Sequence, residues 1–285
     1  VASVSKIYCT AAAMVLVQRG LIDLDTPVVE YVPEFTMLDE DYKKITVRHL
    51  LNHASGLPGT QWKGFSVTAL TKRDYDEEVL NYLANSHLKA KPGEYSVYCN
   101  DGFTLAEIVV ARVSGQRYSD FLRENITGPI QADSTRTIED RNPDFPLVHE
   151  KAKPAELLLV EGAGGLTTSM IDLCKFGQLF LSENPILSEA SKQEMAKPQG
   201  VSFLAQDQKS PSYGLGWDTV CFSDPDFDLG EGVLRKGGNS FQFTSQLIII
   251  PKYNAVLAIS ETHDCKIDVT QAALHILAQW LLQHK

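Results

Sequence analysis

Residues 246–250 and 255–260 form two apolar runs joined by Pro251-Lys252-Tyr253-Asn254. Short runs rich in β-branched residues, split by a turn signal, predict an antiparallel hairpin. The second run, Ala255-Val256-Leu257-Ala258-Ile259, carries no polar side chain. Such a strand is expected to be buried on both faces and paired on both edges. Only one partner lies nearby in sequence, and an open apolar edge invites aggregation. The expectation is therefore that something not in this chain covers that edge.

The sequence ahead of this hairpin is dominated by helix signals. Ala11, Ala12, Ala13, Met14, Leu16 and Val17 make a helix body that Gly20 stops. Residues 45–51 read as a short helix with Thr46 as N-cap, ended by the breaker cluster Ser55-Gly56-Leu57-Pro58-Gly59. Asp74, Asp76, Glu77 and Glu78 open another helix, a solvated acidic start that suits the helix dipole. After the turn at Pro92-Gly93, Leu105, Ile108, Val109 and Val113 recur at helical spacing up to Gly115. Residues 213–221 alternate as extended chain, and residues 232–237 are short and extended. A closing helix carries Ala272, Leu274, Ile276, Leu277, Trp280 and Leu281, whose apolar face is expected to pack on the sheet. Helices first and sheet last predict an α+β fold, an antiparallel sheet flanked by helices with a helical region beside it. In 285 residues we expect one domain over 1–285, helical over about 1–165 and sheet-bearing over about 166–285.

Composition narrows function. The net charge is −10, from 36 acidic against 26 basic residues. That argues against nucleic acid or an anionic membrane as partner, since both need a basic face. No run of about 18 apolar residues predicts a transmembrane helix. The five cysteines, Cys9, Cys99, Cys174, Cys221 and Cys265, contain no CxxC pair and read as buried or half-buried thiols. They leave the compartment open.

Three short motifs carry chemistry. Ser3-Val4-Ser5-Lys6 puts a serine and a lysine three apart on one face at a helix start. The helix N-terminus favours an alkoxide there, and a desolvated lysine can act as base. Alone, the pattern reads more simply as a capping serine and a solvated lysine. Tyr98-Cys99-Asn100 offers a phenol that cations could depress and an amide for a substrate; alone it reads as a surface turn. Lys236-Gly237-Gly238 ends a strand, with glycines that admit a substrate backbone and a lysine that attracts a carboxylate. Alone it reads as a glycine bulge.

In the order SxxK, YxN, KGG, the chain resembles the serine β-lactamase and penicillin-binding protein superfamily, especially its class C-like branch. That branch includes D-alanyl-D-alanine carboxypeptidases, D-aminopeptidases and esterases. The stretches 45–58, Gly164-Gly165-Leu166-Thr167-Thr168-Ser169 and Tyr213-Gly214-Leu215-Gly216-Trp217 resemble further family blocks. The resemblance implies a β-lactamase/transpeptidase-like fold and a serine hydrolase working through an acyl-enzyme. Its substrates would be amides or esters, D-amino-acid peptides or β-lactams among them. A carboxylesterase, or a penicillin-recognising sensor with little turnover, stays open as an alternative. Ser3 would be the nucleophile and Lys6 its proton acceptor. Tyr98 would relay the proton, Asn100 would orient the substrate amide, and Lys236 would support Tyr98 and attract a carboxylate. Gly237 and Gly238 would border the substrate, and the N–H groups of Ser3 and Asn239 would form the oxyanion hole. No metal or organic cofactor is implied, and an extracytoplasmic site, periplasmic or secreted, is.

The chain also departs from the family. KGG stands where class C β-lactamases carry KTG, Gln242 stands where many members have glycine, and no ExxLN deacylating element occurs. The family's helix and two strands ahead of the nucleophile are absent from this chain. They would pair with the strand over 255–260, which matches the edge argued above, so a segment upstream in the native gene, or another chain, is expected to complete the sheet. His49 and His53 have a zinc-like spacing without a third ligand and read as helix-end packing and capping. Asp224 to Glu231 resembles a calcium loop, but its glycine is one position late and its twelfth position is Arg235, so it reads as a solvated acidic loop. Arg48 is expected to anchor its helix to a carboxylate.

Overall fold

The computed structural model describes residues 1–67, 74–138, 156–202, 212–262 and 268–283. A 3-10 turn, Ala2–Val4, runs straight into helix α1, Ser5–Gln18. From Ser5 to Leu16 α1 is buried on every side, as an evenly apolar helix must be. Helix α2, Val47–Leu51, begins at Thr46, whose hydroxyl accepts the His49 N–H while the His49 ring accepts the Thr46 N–H. The expected cap is present, and His49 is engaged in it. Arg48 clamps α2 to Asp25 at 2.6 Å and to the Glu194 carboxylate. The two-residue strand β1, Ser66–Val67, precedes α3, Tyr75–Ala84, which Asp74 caps through the Glu77 N–H. Helix α4, Asn100–Ser114, starts just after Tyr98 and stops at Gly115; α5 is Tyr118–Leu122. Strand β2, Leu157–Leu158, pairs with β1, and α6, Met170–Gln178, and α7, Glu189–Ala196, follow.

The main sheet is antiparallel in the order β3 (Leu234–Asn239), β4 (Phe243–Ile250), β5 (Ala255–Thr262). The predicted hairpin is in register from Ile250 opposite Ala255 to Phe243 opposite Thr262, turning through Asn254 at φ 47°. Asparagine tolerates that left-handed conformation better than most residues. Val256 and Ala258 face the core around α1 and α6, while Ala255, Leu257 and Ile259 face a second core. Helix α8, Val269–Gln283, closes that second core with Ala273, Leu274 and Leu277.

Four expectations need correction. β5 has core on both faces, but its residues 255–259 are only half-buried; β4 is its sole partner among the described residues, in keeping with the expected open edge. α8 packs as expected through Leu274 and Leu277, whereas Ile276 and Trp280 point outward. Residues 213–221 form no strand: Gly216 turns the chain at φ +79°, where a Cβ would lie 2.4 Å from Thr10 Oγ1. Cys221 is exposed, unlike buried Cys9 and Cys99 and half-buried Cys174; Cys265 lies outside the described residues. In the acidic loop, Asp228 is held by Lys252 at 2.5 Å and by the Tyr253 hydroxyl at 2.8 Å. No helix among the described residues is long and apolar enough to cross a membrane.

Candidate active site

The fold brings the three motifs to one point. Lys6, on the first turns of α1, is fully buried, and its Nζ lies 3.2 Å from Ser3 Oγ. It also donates to Asn100 Oδ1 at 2.7 Å and to the Ala163 carbonyl at 2.5 Å. These are a hydroxyl, an amide and a peptide oxygen, with no carboxylate among them. Burial drives the Lys6 ammonium below its ordinary pKa; Tyr98 opposes this and the Lys236 charge adds to it. Lys236, equally buried on β3, differs in its partners. It meets Asp218 Oδ1 at 2.6 Å and the Tyr98 hydroxyl at 3.2 Å. Burial alone would lower Lys236, but the Tyr98 and Asp218 charges raise it above its ordinary value. One lysine is thus prepared to lose a proton and the other to keep it.

Tyr98 sits between them, with Lys6 Nζ 4.9 Å and Lys236 Nζ 5.0 Å from its ring centroid. Burial would raise the phenol, yet the two lysines, helped by a hydrogen bond with Ser3, bring it below its ordinary pKa. His53 stacks on the same ring, centroids 4.4 Å apart at 28°. Its Nδ1 accepts the Cys99 N–H at 3.1 Å, and burial, with Lys6 and Lys236 nearby, holds the imidazole well below its ordinary value. His53 is therefore a neutral plate under Tyr98, held at φ 63°. Ala2, next to Ser3, is also in the left-handed region at φ 48°. Strained residues of this kind gather at functional sites.

The outer edge of β3 completes the site. Arg235 N–H bonds the Thr219 carbonyl at 3.0 Å, and Gly237 N–H bonds Asp218 Oδ2 at 2.9 Å. N–H groups two apart point the same way, so Asn239 N–H projects from this edge as well. Gly238 is needed for the approach of the turn that carries Ser3: a Cβ there would lie 2.3 Å from Val1 O and 2.9 Å from Ser3 N. The sequence assigned this glycine's space to a substrate; the chain's own 3-10 turn fills it.

Ser3, Asn100 and Asn239 line a cavity of ≈ 200 Å³ that continues into one of ≈ 310 Å³. Two larger hollows, ≈ 800 and ≈ 830 Å³, lie away from Ser3 and hold none of the motif residues. Lys236 lines neither cavity beside Ser3, and it already holds the Asp218 carboxylate. Gln242 is turned aside, its Oε1 accepting the Glu156 N–H at 2.8 Å.

Sequence reasoning missed several residues here. Asp218 follows the Tyr213–Trp217 block directly, which was its only signal. Thr60 accepts the Asn100 Nδ2–H at 3.0 Å and fixes that amide, Oδ1 toward Lys6. Helix-end packing is the expectation for His53, which the stack supports, but its place under Tyr98 has no local signal in the sequence.

A family model described as Beta-lactamase matches residues 1–273. The chain belongs to the beta-lactamase family. It sits on the class C-like branch of this family of serine hydrolases. It is 24% identical over 302 residues to Penicillin-binding protein 4* of Bacillus subtilis (strain 168), covering 97% of this chain and 64% of the relative. It is 26% identical to the D-alanyl-D-alanine-carboxypeptidase/endopeptidase AmpH of Escherichia coli (strain K12), covering 89% and 68%. The chain thus spans about two thirds of these relatives. The D-amino acid amidase of Ochrobactrum anthropi SV3 superposes with a TM-score of 0.70 at 22% identity, covering 92% of this chain and 84% of the amidase. The beta-lactamase fold expected from the sequence is present, with three strands of its main sheet among the described residues.

Proposed function

We propose that the chain hydrolyses amides or esters through an acyl-enzyme on Ser3. The observation that carries this reading is Lys6: buried, without a carboxylate partner, 3.2 Å from Ser3 Oγ. Its neutral amine takes the Ser3 proton as Oγ bonds to the substrate carbonyl carbon. The oxyanion is met by the N–H groups of Ser3 and Asn239. As the tetrahedral adduct collapses, the carbonyl–heteroatom bond breaks and Tyr98 passes a proton to the departing amine or alcohol. Water, giving its proton to the same Lys6–Tyr98 pair, then attacks the acyl carbon; the acyl–Oγ bond breaks, the pair returns a proton to Ser3 Oγ, and the carboxylic acid leaves. Lys236, its charge matched by Asp218, keeps Tyr98 acidic.

The charge layout favours substrates without a carboxylate near the scissile bond. No lysine or arginine is among the described residues lining either cavity beside Ser3. This ranks neutral amides and esters above penicillins and peptides with a free C-terminus.

The test is intact-protein mass over time with a p-nitrophenyl acyl ester and with a penicillin, on wild type and Ser3→Ala. A Ser3-dependent acyl adduct from the ester, forming faster than any penicillin adduct, is expected. Equal labelling of Ser3→Ala would remove Ser3 as nucleophile.

A further inference from the structure

Glu107, in the middle of α4, is a buried carboxyl with no part in the chemistry proposed above. Its Oε2 accepts the N–H of Gly162, in the tight turn Glu161–Gly165. The next residue of that turn, Ala163, gives its carbonyl to Lys6 Nζ. The fit is close: a Cβ at Gly162 would lie 2.7 Å from Glu107 Oε2 and 2.9 Å from Cys9 Sγ. Beyond Ala163 the turn is closed by the Val160 carbonyl, which accepts the Gly164 and Gly165 N–H groups, and by Ser5 Oγ, which accepts the Leu166 N–H at 3.1 Å. Burial, with Asp76 and Glu161 close by, pushes the Glu107 carboxyl well above the usual carboxylate range, and a hydrogen bond with Asp76 adds to this. Glu107 therefore holds the turn as a neutral acid. It brings no negative charge that would favour the Lys6 ammonium.

The Ala163 carbonyl decides where the Lys6 lone pair points. A neutral lysine amine has two N–H donors and one lone pair. Asn100 Oδ1 and Ala163 O only accept, so they take both N–H groups. The lone pair is left for the third partner, Ser3 Oγ at 3.2 Å, whose hydroxyl can donate. With the Ala163 carbonyl displaced, an N–H is free to turn toward Ser3 and the lone pair away from it. We infer that Glu107 is a positioning residue: through Gly162 it seats the Ala163 carbonyl on Lys6 and so aims the Lys6 lone pair at Ser3. The inference rests on the acyl-enzyme reading for its role in turnover, but not for the seat itself.

Titration of Lys6 Nζ, followed by nitrogen NMR of lysine-labelled protein and assigned by its loss in Lys6→Met, reads the seat whether or not Ser3 is acylated. A carbonyl acceptor favours the ammonium, so Glu107→Met, which cannot accept the Gly162 N–H, should lower the Lys6 proton affinity at least roughly 3-fold. Glu107→Gln, whose amide oxygen accepts that N–H and whose amide donates to Asp76, should stay within about 2-fold of wild type. Single-turnover acylation by p-nitrophenyl acetate, at a pH where Lys6 is deprotonated in every variant, should fall at least roughly 10-fold in Glu107→Met and be rescued in Glu107→Gln. A Lys6 titration that Glu107→Met leaves in place, or that Glu107→Gln moves as far, overturns the positioning role even where acylation slows. If Glu107→Met fails to fold, Gly162→Ala, which keeps Glu107 but drives the turn off it, decides by the same Lys6 titration. A wild type that p-nitrophenyl acetate does not acylate strikes the acyl-enzyme reading and leaves the titration to judge Glu107.

Discussion

The Lys236 ammonium lies 2.6 Å from the Asp218 carboxylate, and that single pairing sets the two lysines of the site apart. Asp218 keeps a cation beside Tyr98, while Lys6 has no carboxylate among its hydrogen-bond partners and is lowered by burial, which suits the base role proposed for it. Asp218→Ala would leave Lys236 buried with its charge unmatched. Because Asp218 is 29% exposed, water recovers part of the loss. The expected cost is about 1–3 kcal/mol, read from the denaturant midpoint. Acylation should slow as well, since a neutralised Lys236 no longer depresses Tyr98.

The pH dependence follows from the same group of charges. A base must be deprotonated, so acylation rises with pH, and its acid limb should lie below the ordinary lysine range because Lys6 is lowered. Lys236 lowers both Lys6 and Tyr98. In Lys236→Gln the acid limb should therefore move to higher pH. Lys6 and Tyr98 titrate as a pair, so the limb reports the pair. Single-turnover rates across pH decide it; a limb that stays in place would rule out Lys236 as the tuning charge.

His53 links folding to pH. Its folded pKa is depressed, so below the unfolded value near 6.5 the unfolded chain binds a proton that the native chain refuses. Stability should be full above about pH 6.5 and fall as pH drops beneath it, by up to about 1.4 kcal/mol per unit. Urea midpoints at descending pH measure this. His53→Gln should flatten the slope and reduce kcat through loss of the plate under Tyr98.

The two glycines of the KGG motif should behave differently. A methyl at Gly238 meets the backbone of Val1, Ser3 and Val4 within 3.0 Å, so the nucleophile turn must move. Gly238→Ala is expected to cost about 1–3 kcal/mol and most of the acylation rate. A methyl at Gly237 first meets the Gln246 side chain at 3.1 Å, which can swing aside. Gly237→Ala should retain the greater part of stability and acylation, and equal losses in both variants would refute the geometry.

Much of the fold was legible because its signals are local. The 251–254 turn, the Thr46 cap, the acidic helix start at Asp74 and the Gly115 stop each act within a few residues, and each is where the sequence placed it. Residues 213–221 misled because alternation resembles a strand, whereas Gly216 and contacts with α1 and α2 hold the segment in a turn. The outward Ile276 and Trp280 of α8 misled because an apolar side chain does not state which face the sheet covers.

The sequence by itself determined the identity and order of Ser3-x-x-Lys6, Tyr98-x-Asn100 and Lys236-Gly237-Gly238, since each motif is a short-range pattern with its own chemistry. Only the tertiary structure decided what those groups meet. Lys6 and Asn100 are 94 positions apart, and Tyr98 and Lys236 are 138 apart. The match of Asp218 to Lys236 and the His53 plate under Tyr98 arise from packing between distant segments. Charge and burial there depend on neighbours that no local pattern names, and those neighbours determine which lysine can give up its proton.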